Sequence, residues 1–584
     1  MASFVFPHPD FYGQHVPAQP APAGGAARNP AAGGDFVNLL LLADLALYDK
    51  PDDVRDRAGT LIERAEKIDD PALRRIVLFS LSKVVNAPEN VAAIRREHLA
   101  RVGAHFHELA AAARKGNRDA DALAAVQIAL KCDPANTEAR LLFASLIEPK
   151  AALQTLHYGI KFLDLKSELA PAYFNRYFGA LADLQQDRIA AKQALALLGS
   201  GTLPPAVRTV VANHAAMALF WIGDCTDALR ILDEEKLSET QQGLILKARC
   251  LFETRRTREA VALLSEKVNA FPAAKRDVIL SQIARFQLST GDVAAALDTT
   301  NRRISENPSA PQPYLQRLLL LERLGRTESR DAEIAAAFDA FSSQQSALLT
   351  LANFAAETGV PAVAETCVER ASEKRFPPNV FVSALIEAFV TAGEPEKAIL
   401  AYQNISKNSP KALEGCEAAN SAILAAAYAL AAKKNPDAAS ARTQAGHADL
   451  LLGQFLADAS LSPENFAAVT QLFERVGETG LALRVAQAGL GAFPWHSQLR
   501  ANVVSLRIRL GAIDGNADRT PLAKEIRVLA AMRRPSPEIW SEIARWLDSG
   551  KTALPPQEIA ALKKLVAPLV RDDLQAHGTP RALD

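Results

Sequence analysis

The sequence predicts an all-α protein, organised as a solenoid of antiparallel helix pairs. Apolar residues recur at helical spacing between turns that come at regular intervals. A small residue recurs about every 34 positions. The composition is 49% hydrophobic but only 6% aromatic, which favours closely packed helices over a sheet core. A chain of 584 residues is long enough for many such pairs, because each unit of a solenoid contacts only its neighbours.

The stretch Thr391–Pro410 contains one turn and one complete second helix. Gly393 tolerates a positive φ and Pro395 suits a first helical turn, so a helix ends and the next begins here. Ile399 and Ile405 belong to an apolar series at helical spacing. Ser409-Pro410 then ends the helix, because proline cannot continue it.

A marker position in the second helix defines the repeat. From Ala398 the spacing backward is 34 residues three times, then 36 and 32, and Ala482 lies 84 residues onward, which leaves room for two units of 42. A small side chain here lets the two helices of a pair approach closely. The marker positions are Ala122, Ala228, Ala260, Ala296, Arg330, Ala364, Ala398 and Ala482. A proline follows most markers by twelve or thirteen residues, at Pro134, Pro272, Pro308, Pro377, Pro410 and Pro494.

The first helix of each pair is expected to bury two large residues. Sixteen positions before the marker stand Leu280, Tyr314, Leu348, Val382 and Phe466. Nine positions before it stand Leu219, Leu251, Leu321, Phe389 and Phe473.

This pattern resembles the tetratricopeptide repeat family from about residue 100 to 510. The resemblance implies a right-handed superhelix with a concave groove. The sequence departs from the family pattern in three respects: Arg330 replaces one marker alanine, the first helix lacks a glycine at its tight crossing, and tryptophan is not used at the first core position. These departures leave the subfamily open.

The chain is expected to have four parts. Residues 1–35 are a leader and a Pro/Ala/Gly linker, and the aromatic residues of the leader either form a docking motif or belong to a disordered or capping end. Residues 36–115 are degenerate helical repeats, in which Phe36–Tyr48 is interpreted as the first helix rather than a membrane-lying segment. Residues 116–510 are the repeat array, and residues 511–584 are capping helices and a tail. Ser462-Pro463-Glu464 is a strong helix start within the array.

Composition limits the partners and the compartment. Lys plus Arg and Asp plus Glu each total 66, so no general attraction to nucleic acid or an anionic membrane is expected. The five widely spaced cysteines are interpreted as small buried hydrophobic residues. We expect no transmembrane span and a cytoplasmic protein, with envelope association through a partner or a lost anchor as the alternative. The oligomeric state stays open.

No catalytic signature is found, so we predict that the protein is not an enzyme and holds no metal or cofactor. His98 and His105 share a helix face while His107 projects elsewhere, which is a poor arrangement for a metal. The glycine-containing loop 199–205 lacks the Lys-Ser/Thr of a phosphate-binding loop. Acidic pairs such as Asp69-Asp70 lie at turns, where solvation or a helix dipole explains them.

The family resemblance implies that first-helix positions, eighteen, fifteen, eleven, eight and seven residues before each marker, line the groove. Arg249, Arg285 and Arg323 recur on successive units, which suits a carboxylate or an acidic peptide. Alternatively, these arginines pair with local acids. The positions so placed are Asn213, Met217, Phe220, Trp221, Gln242, Arg249, Phe252, Glu253, Ser281, Arg285, Leu288, Leu319, Glu322, Arg323, Asn353, Glu357, Ser383 and Glu387.

Three hypotheses for function follow. The first is a scaffold that binds a protein or peptide segment in the groove. The second is an accessory or assembly factor of a bacterial envelope or polysaccharide machine, and it rests on analogy alone. The third is an enzyme with a helical-repeat domain, which would require a deep pocket lined by perturbed His, Asp or Glu.

Overall fold

The computed structural model describes residues 34–325, 330–341, 343–514, 520–535, 538–549, 552 and 554–570. Every regular element among these residues is helical, and they contain no strand. The predicted all-α class is therefore confirmed. None of the helices in these ranges combines the length and apolarity needed to cross a membrane.

The chain divides into two compact units, Met1–Leu146 and Ile147–Asp584. The first unit has its own apolar core, in which Val77 and Leu81 are completely buried. The predicted boundaries at 115 and 510 stay predictions. The helices of the first unit are α1 Gly34–Leu40, α2 Pro51–Ala65, α3 Pro71–Asn86, α4 Val91–Lys115, α5 Asp119–Cys132 and α6 Thr137–Leu146.

The second unit is a succession of helix pairs. We call the even-numbered helices from α8 onward first helices and the odd-numbered ones from α9 onward second helices. The helices are α7 Pro149–Gly159, α8 Ala170–Asp183, α9 Asp187–Gly199, α10 Pro205–Ile222, α11 Cys225–Glu234, α12 Gln241–Glu253, α13 Thr257–Lys267, α14 Ala273–Ser289, α15 Val293–Glu306, α16 Pro311–Arg323, α17 Arg330–Phe341, α18 Gln345–Thr358, α19 Pro361–Glu373, α20 Asn379–Thr391, α21 Pro395–Asn408, α22 Glu417–Lys434, α23 Ala438–Leu456, α24 Pro463–Arg475, α25 Thr479–Ala492, α26 Ser497–Asp514, α27 Thr520–Ala531, α28 Glu538–Asp548 and α29 Pro556–Val566.

The marker alanines lie where the repeat spacing predicts. Six lie in second helices of the second unit, Ala122 lies in α5 of the first unit, and none of the seven has exposed surface. A larger side chain at such a position would separate two helices that pack closely. The side chain of Arg330, the one marker that is not alanine, lies outside the described residues.

The other core predictions are also confirmed. The ten large residues placed sixteen and nine positions before a marker are all buried. The prolines that follow the markers lie just beyond the ends of second helices, as Pro410 lies beyond α21 and Pro494 beyond α25. Ser462 caps α24 in a capping box with Asn465.

The turn between the two helices of a pair commonly has one residue with a positive φ. Gly393, between α20 and α21, has φ of 77°. Glycine also occupies this position at Gly223, Gly291, Gly325, Gly359 and Gly477. In the turns after α8 and α12 the position is held instead by Gln185, with φ of 51°, and Arg255, with φ of 63°. A side chain in this conformation costs roughly 1–2 kcal/mol, so these two turns carry a strain that the glycine turns avoid.

The prediction of one helix over Phe36–Tyr48 is wrong. Helix α1 ends at Leu40, Leu42 adopts a φ of 46°, and a short 3₁₀ turn covers Ala43–Leu47. The break buries Leu39, Leu40, Leu42 and Leu45 together, whereas a straight helix would spread these side chains around its axis. The interrupted backbone is held by His98, whose Nε2 lies 2.7 Å from the Leu40 carbonyl oxygen.

Candidate functional site

The first helices of the second unit pack on one another as well as on their own partners. α10 contacts α8 and α12, α18 contacts α16 and α20, and α22 contacts α20 and α24. Because they stack in this way, these first helices lie on the same side of the second unit. Side chains from successive pairs can therefore contribute to a single surface.

A cavity of about 560 Å³ opens on this surface where α18, α20, α22 and α24 meet. The loops that precede α22 and α24 complete its rim. Three of the residues predicted to line the groove, Asn353, Glu357 and Glu387, lie in its wall. We call this cavity the acidic pocket.

The floor of the acidic pocket is apolar and fixed. Ile423, Phe455 and Leu472 line it while being almost fully buried in the core around α20–α26. Leu461 and Val469 add further apolar surface. A ligand with an aliphatic portion would find a contact surface that is already ordered.

The rim of the acidic pocket is negatively charged. Glu357, Glu387, Glu417 and Asp458 contribute carboxylates, and Arg475 contributes the one guanidinium of the lining. Arg475 forms an ion pair with Glu387 across α20 and α24. The lining therefore carries more negative than positive charge.

Hydrogen bonds lower the pKa of two of these carboxyls. The Ser460 hydroxyl donates to Asp458 at 2.6 Å and the Ser460 amide at 2.8 Å, and these bonds lower the pKa of Asp458. The Gly415 amide donates to Glu417 at 2.9 Å and is the main cause of a lowered pKa for Glu417. Both groups are anions at neutral pH, which suits binding of a cation rather than proton donation.

Cys416 is a pocket residue that thiol reagents can be used to probe. It is partly exposed in the lining, whereas Cys132, Cys225, Cys250 and Cys367 are buried. Burial raises the pKa of the Cys132 and Cys367 thiols to about 12. Reagents that attack thiolates at neutral pH should therefore modify Cys416 before Cys132 and Cys367.

A second group of predicted residues lies at the end of α10 and α12 and contacts the chain itself. The Arg249 guanidinium lies 4.5 Å from the Phe220 ring centre and 5.3 Å from that of Trp221. Arg533, from the loop after α27, lies 4.8 Å from the Trp221 ring centre. Arg534 lies 3.7 Å from Glu253. No repeat spacing indicated that this distant loop would come here.

The remaining predicted residues are spread along the first helices. Phe220, Phe252, Leu288, Leu319 and Ser383 are buried, so they contribute mainly to helix packing. The side chain of Glu322 lies outside the described residues. Burial lowers the pKa of Arg323. Partly or fully exposed positions are Asn213, Met217, Gln242, Ser281 and Arg285.

The three histidines of α4 have separate partners, and that of His107 is Glu138, at 3.8 Å. His98 is buried, with Nδ1 at 3.0 Å from the Ser80 hydroxyl oxygen. His105 Nε2 lies 2.8 Å from a carboxylate oxygen of Asp70. Throughout the described ranges, no three His, Cys, Asp or Glu side chains are grouped as metal ligands would be.

No family model matches the sequence, and no curated protein matches it. One similar solved structure is a tetratricopeptide repeat protein from Parabacteroides merdae, 12% identical, with 56% of this chain and 98% of that chain covered and a TM-score of 0.26. The chain resembles tetratricopeptide repeat proteins. That description rests on its own marker spacing and helix pairs, because a TM-score of 0.26 is too low to decide a fold.

Proposed function

We propose that the second unit is a protein-interaction scaffold that receives a partner segment in the acidic pocket. The observation that carries this proposal is the pocket itself, a concave site with an apolar floor and an anionic rim on the side formed by the first helices. We infer that the segment presents an arginine or lysine next to an aliphatic residue. The cation would lie among Glu357, Glu417 and Asp458, and the aliphatic side chain on the floor.

The pocket favours binding over catalysis. A general acid needs a pKa near the working pH, whereas the pKa values of Glu417 and Asp458 are lowered. The lining contains no histidine. We therefore keep the prediction that the protein is not an enzyme. The hypothesis of an accessory factor in an envelope machine stays a hypothesis.

A peptide library tests the proposal directly. Binding of N-acetylated hexapeptides, each with one varied position, is measured by fluorescence anisotropy at low salt. We expect the best binders to contain arginine or lysine beside leucine, valine or isoleucine, and their glutamate counterparts to bind at least about tenfold more weakly. Equal binding of basic and acidic peptides would contradict the proposal.

Variants assign the binding to the pocket. Glu417→Gln with Asp458→Asn removes two charges while keeping shape, and should weaken the best peptide about tenfold. The matched control is Glu365→Gln with Glu396→Gln, at exposed positions on the second helices α19 and α21. The control pair should leave the affinity unchanged. A bound peptide should also slow alkylation of Cys416.

A further inference from the structure

The last helix pairs of the second unit return to its first pairs. Arg533 hydrogen-bonds both carboxylate oxygens of Asp187, at 2.8 Å each, and also donates to the Ala182 carbonyl at 2.9 Å. The Arg188 guanidinium donates to the Ala531 carbonyl at 2.9 Å. Asp187 is 3% exposed, so this pair is screened from solvent. We call the contacts between residues 182–255 and residues 497–570 the seam.

Successive contacts along the seam are offset by one helix pair on each side. The Ser497 amide, after α25, donates to Gln185 in the turn after α8 at 2.8 Å. The Arg534 amide, after α27, donates to the Trp221 carbonyl at the end of α10 at 2.9 Å. Arg255, in the turn after α12, donates to the Val570 carbonyl beyond α29 at 3.1 Å. Three successive loops thus contact three successive turns, as in a coil whose consecutive turns touch.

The seam contacts described so far are hydrogen bonds, ion pairs and one cation–ring contact. They join guanidinium and amide groups to carboxylates and to backbone or side-chain carbonyls, with the ring of Trp221 beside Arg533. The apolar cluster around α26–α29 draws its residues from 501 to 570, and the cluster around α12–α14 draws its residues from 229 to 286. These two clusters share no residue. Neighbouring pairs, in contrast, are joined by continuous apolar packing.

Two of the three turns at the seam lack glycine at the position with a positive φ. Gln185 and Arg255 hold the left-handed position that glycine holds in the other turns described above, and each uses its side chain across the seam. The third turn of the seam has Gly223 at this position, where a Cβ would collide with the Arg534 guanidinium. Local strain at two turns is thus offset by contacts with a distant part of the chain. When the seam opens, that strain is no longer compensated.

From this geometry we propose that the seam is a reversible closure of the second unit. It opens while the helix pairs on both sides stay folded, and so gives the array a closed and an open form. Intrachain interfaces rich in polar contacts separate more readily than large hydrophobic ones. Opening lets the curvature of the whole array relax, including the stretch that carries the acidic pocket. The proposed closure follows from the seam contacts described above and does not depend on what the pocket binds.

Hydrogen exchange and small-angle scattering of the full chain test the closure. Arg533→Glu places two carboxylates together at the seam. We expect the amides of 182–188 and 221–225 to exchange at least about tenfold faster and the radius of gyration to rise, with the rest of the unit still protected. The matched control is Arg484→Glu. Arg484 forms an exposed ion pair with Asp449, at 2.8 Å, and both residues lie outside the seam. The control should match the wild type in both measurements.

A second variant removes the contacts without introducing repulsion. Gln185→Gly with Arg255→Gly deletes both side-chain contacts and relieves both strained turns. It should open the seam while leaving the helical circular dichroism and the melting temperature at or above wild type. Two results would overturn the proposal. The first is that, in both variants, the amides at the seam exchange at the wild-type rate and the radius of gyration is unchanged. The second is that all amides of the unit exchange faster together.

Discussion

The carboxylate of Asp187 and the guanidinium of Arg533 lie 346 positions apart and share two hydrogen bonds of 2.8 Å. Asp187 is the first residue of α9, where the helix dipole also favours a negative charge. The bidentate geometry fixes the loop after α27 against the turn after α8. This pair is therefore one of the contacts that join the early and the late helix pairs of the second unit.

Gly223→Ala should weaken the seam more than an ordinary glycine substitution. Gly223 has φ of 88°, and an added Cβ would collide with Arg534. Gly201→Ala is the control, because Gly201 has φ of 67° but nothing within 4 Å of the added atom. Both variants should lose roughly 1–2 kcal/mol to backbone strain. In urea unfolding, Gly223→Ala should lose about 1 kcal/mol more of the free energy of unfolding, because the hydrogen bonds of Arg534 are lost as well.

Equal losses for the two alanine variants would show that Arg534 contributes nothing at Gly223. Hydrogen exchange locates the difference, because only Gly223→Ala should deprotect the amide of Arg534. That amide donates to Trp221 at 2.9 Å.

Ala398→Leu should destabilise the array at its marker position. Ala398 is completely buried between α20 and α21, so the added atoms force the helices apart. We expect a loss of about 1–3 kcal/mol in the free energy of unfolding. Ala445→Leu, at an exposed position of α23, should be nearly neutral. Similar losses at both positions would mean that close helix approach is not what the marker provides.

Acid should destabilise the second unit through His214. The ring is stacked on Phe178, and burial lowers its pKa from 6.5 to about 4. Because the folded pKa is lowered, the stabilisation is fully present above the unfolded pKa and is lost as the pH falls from about 6.5 toward about 4. The loss is on the order of 3 kcal/mol once the ring is fully protonated.

Urea unfolding of wild type and His214→Gln at several pH values measures this effect. The Gln variant should show a shallower decline below about pH 6.5, since it removes one group whose protonation opposes folding. Asn175 lies 3.0 Å from His214 Nε2 and can bond a neutral side chain equally well. Parallel curves for the two proteins would assign the acid sensitivity to other groups.

N-ethylmaleimide at neutral pH should modify Cys416 before Cys132 and Cys367. Cys416 is partly exposed, while the pKa values of Cys132 and Cys367 are raised to about 12 by burial. Peptide mapping by mass spectrometry should show Cys416 reacting at least about tenfold faster than these two. Labelling in guanidinium chloride, where all five thiols are accessible, gives the reference rates. Comparable rates in the native protein would place Cys416 away from solvent.

The periodic part of the fold is predictable from the sequence because its determinants are local. Ala398 and the large residues Val382 and Phe389 occupy fixed positions within one helix pair, and their spacing repeats. The same spacing placed Asn353, Glu357 and Glu387 in one wall of the acidic pocket. Its other wall comes from turns and from the longer pair α22–α23, for which no marker was recognised.

The non-periodic features were not predictable in the same way. The break at Leu42 follows from which leucines the first core accepts, and that is decided by helices far along the chain. The seam joins loops separated by more than three hundred positions, so no window of sequence contains both sides. One signal was present: Gln185 and Arg255 replace glycine in their turns. Only the structure shows that this replacement accompanies contacts with the other end of the unit.

The seam also restricts how the gene for this chain can change in length. The loop after α27 meets the turn after α8, nine helix pairs earlier, and each neighbouring contact is offset by one pair. An open array can gain or lose a pair and keep all its remaining contacts. Here an inserted or deleted pair would bring Arg533 opposite a different turn, without Asp187. Duplication and deletion, the usual routes by which repeat proteins evolve, should therefore be tolerated only outside the closed turn.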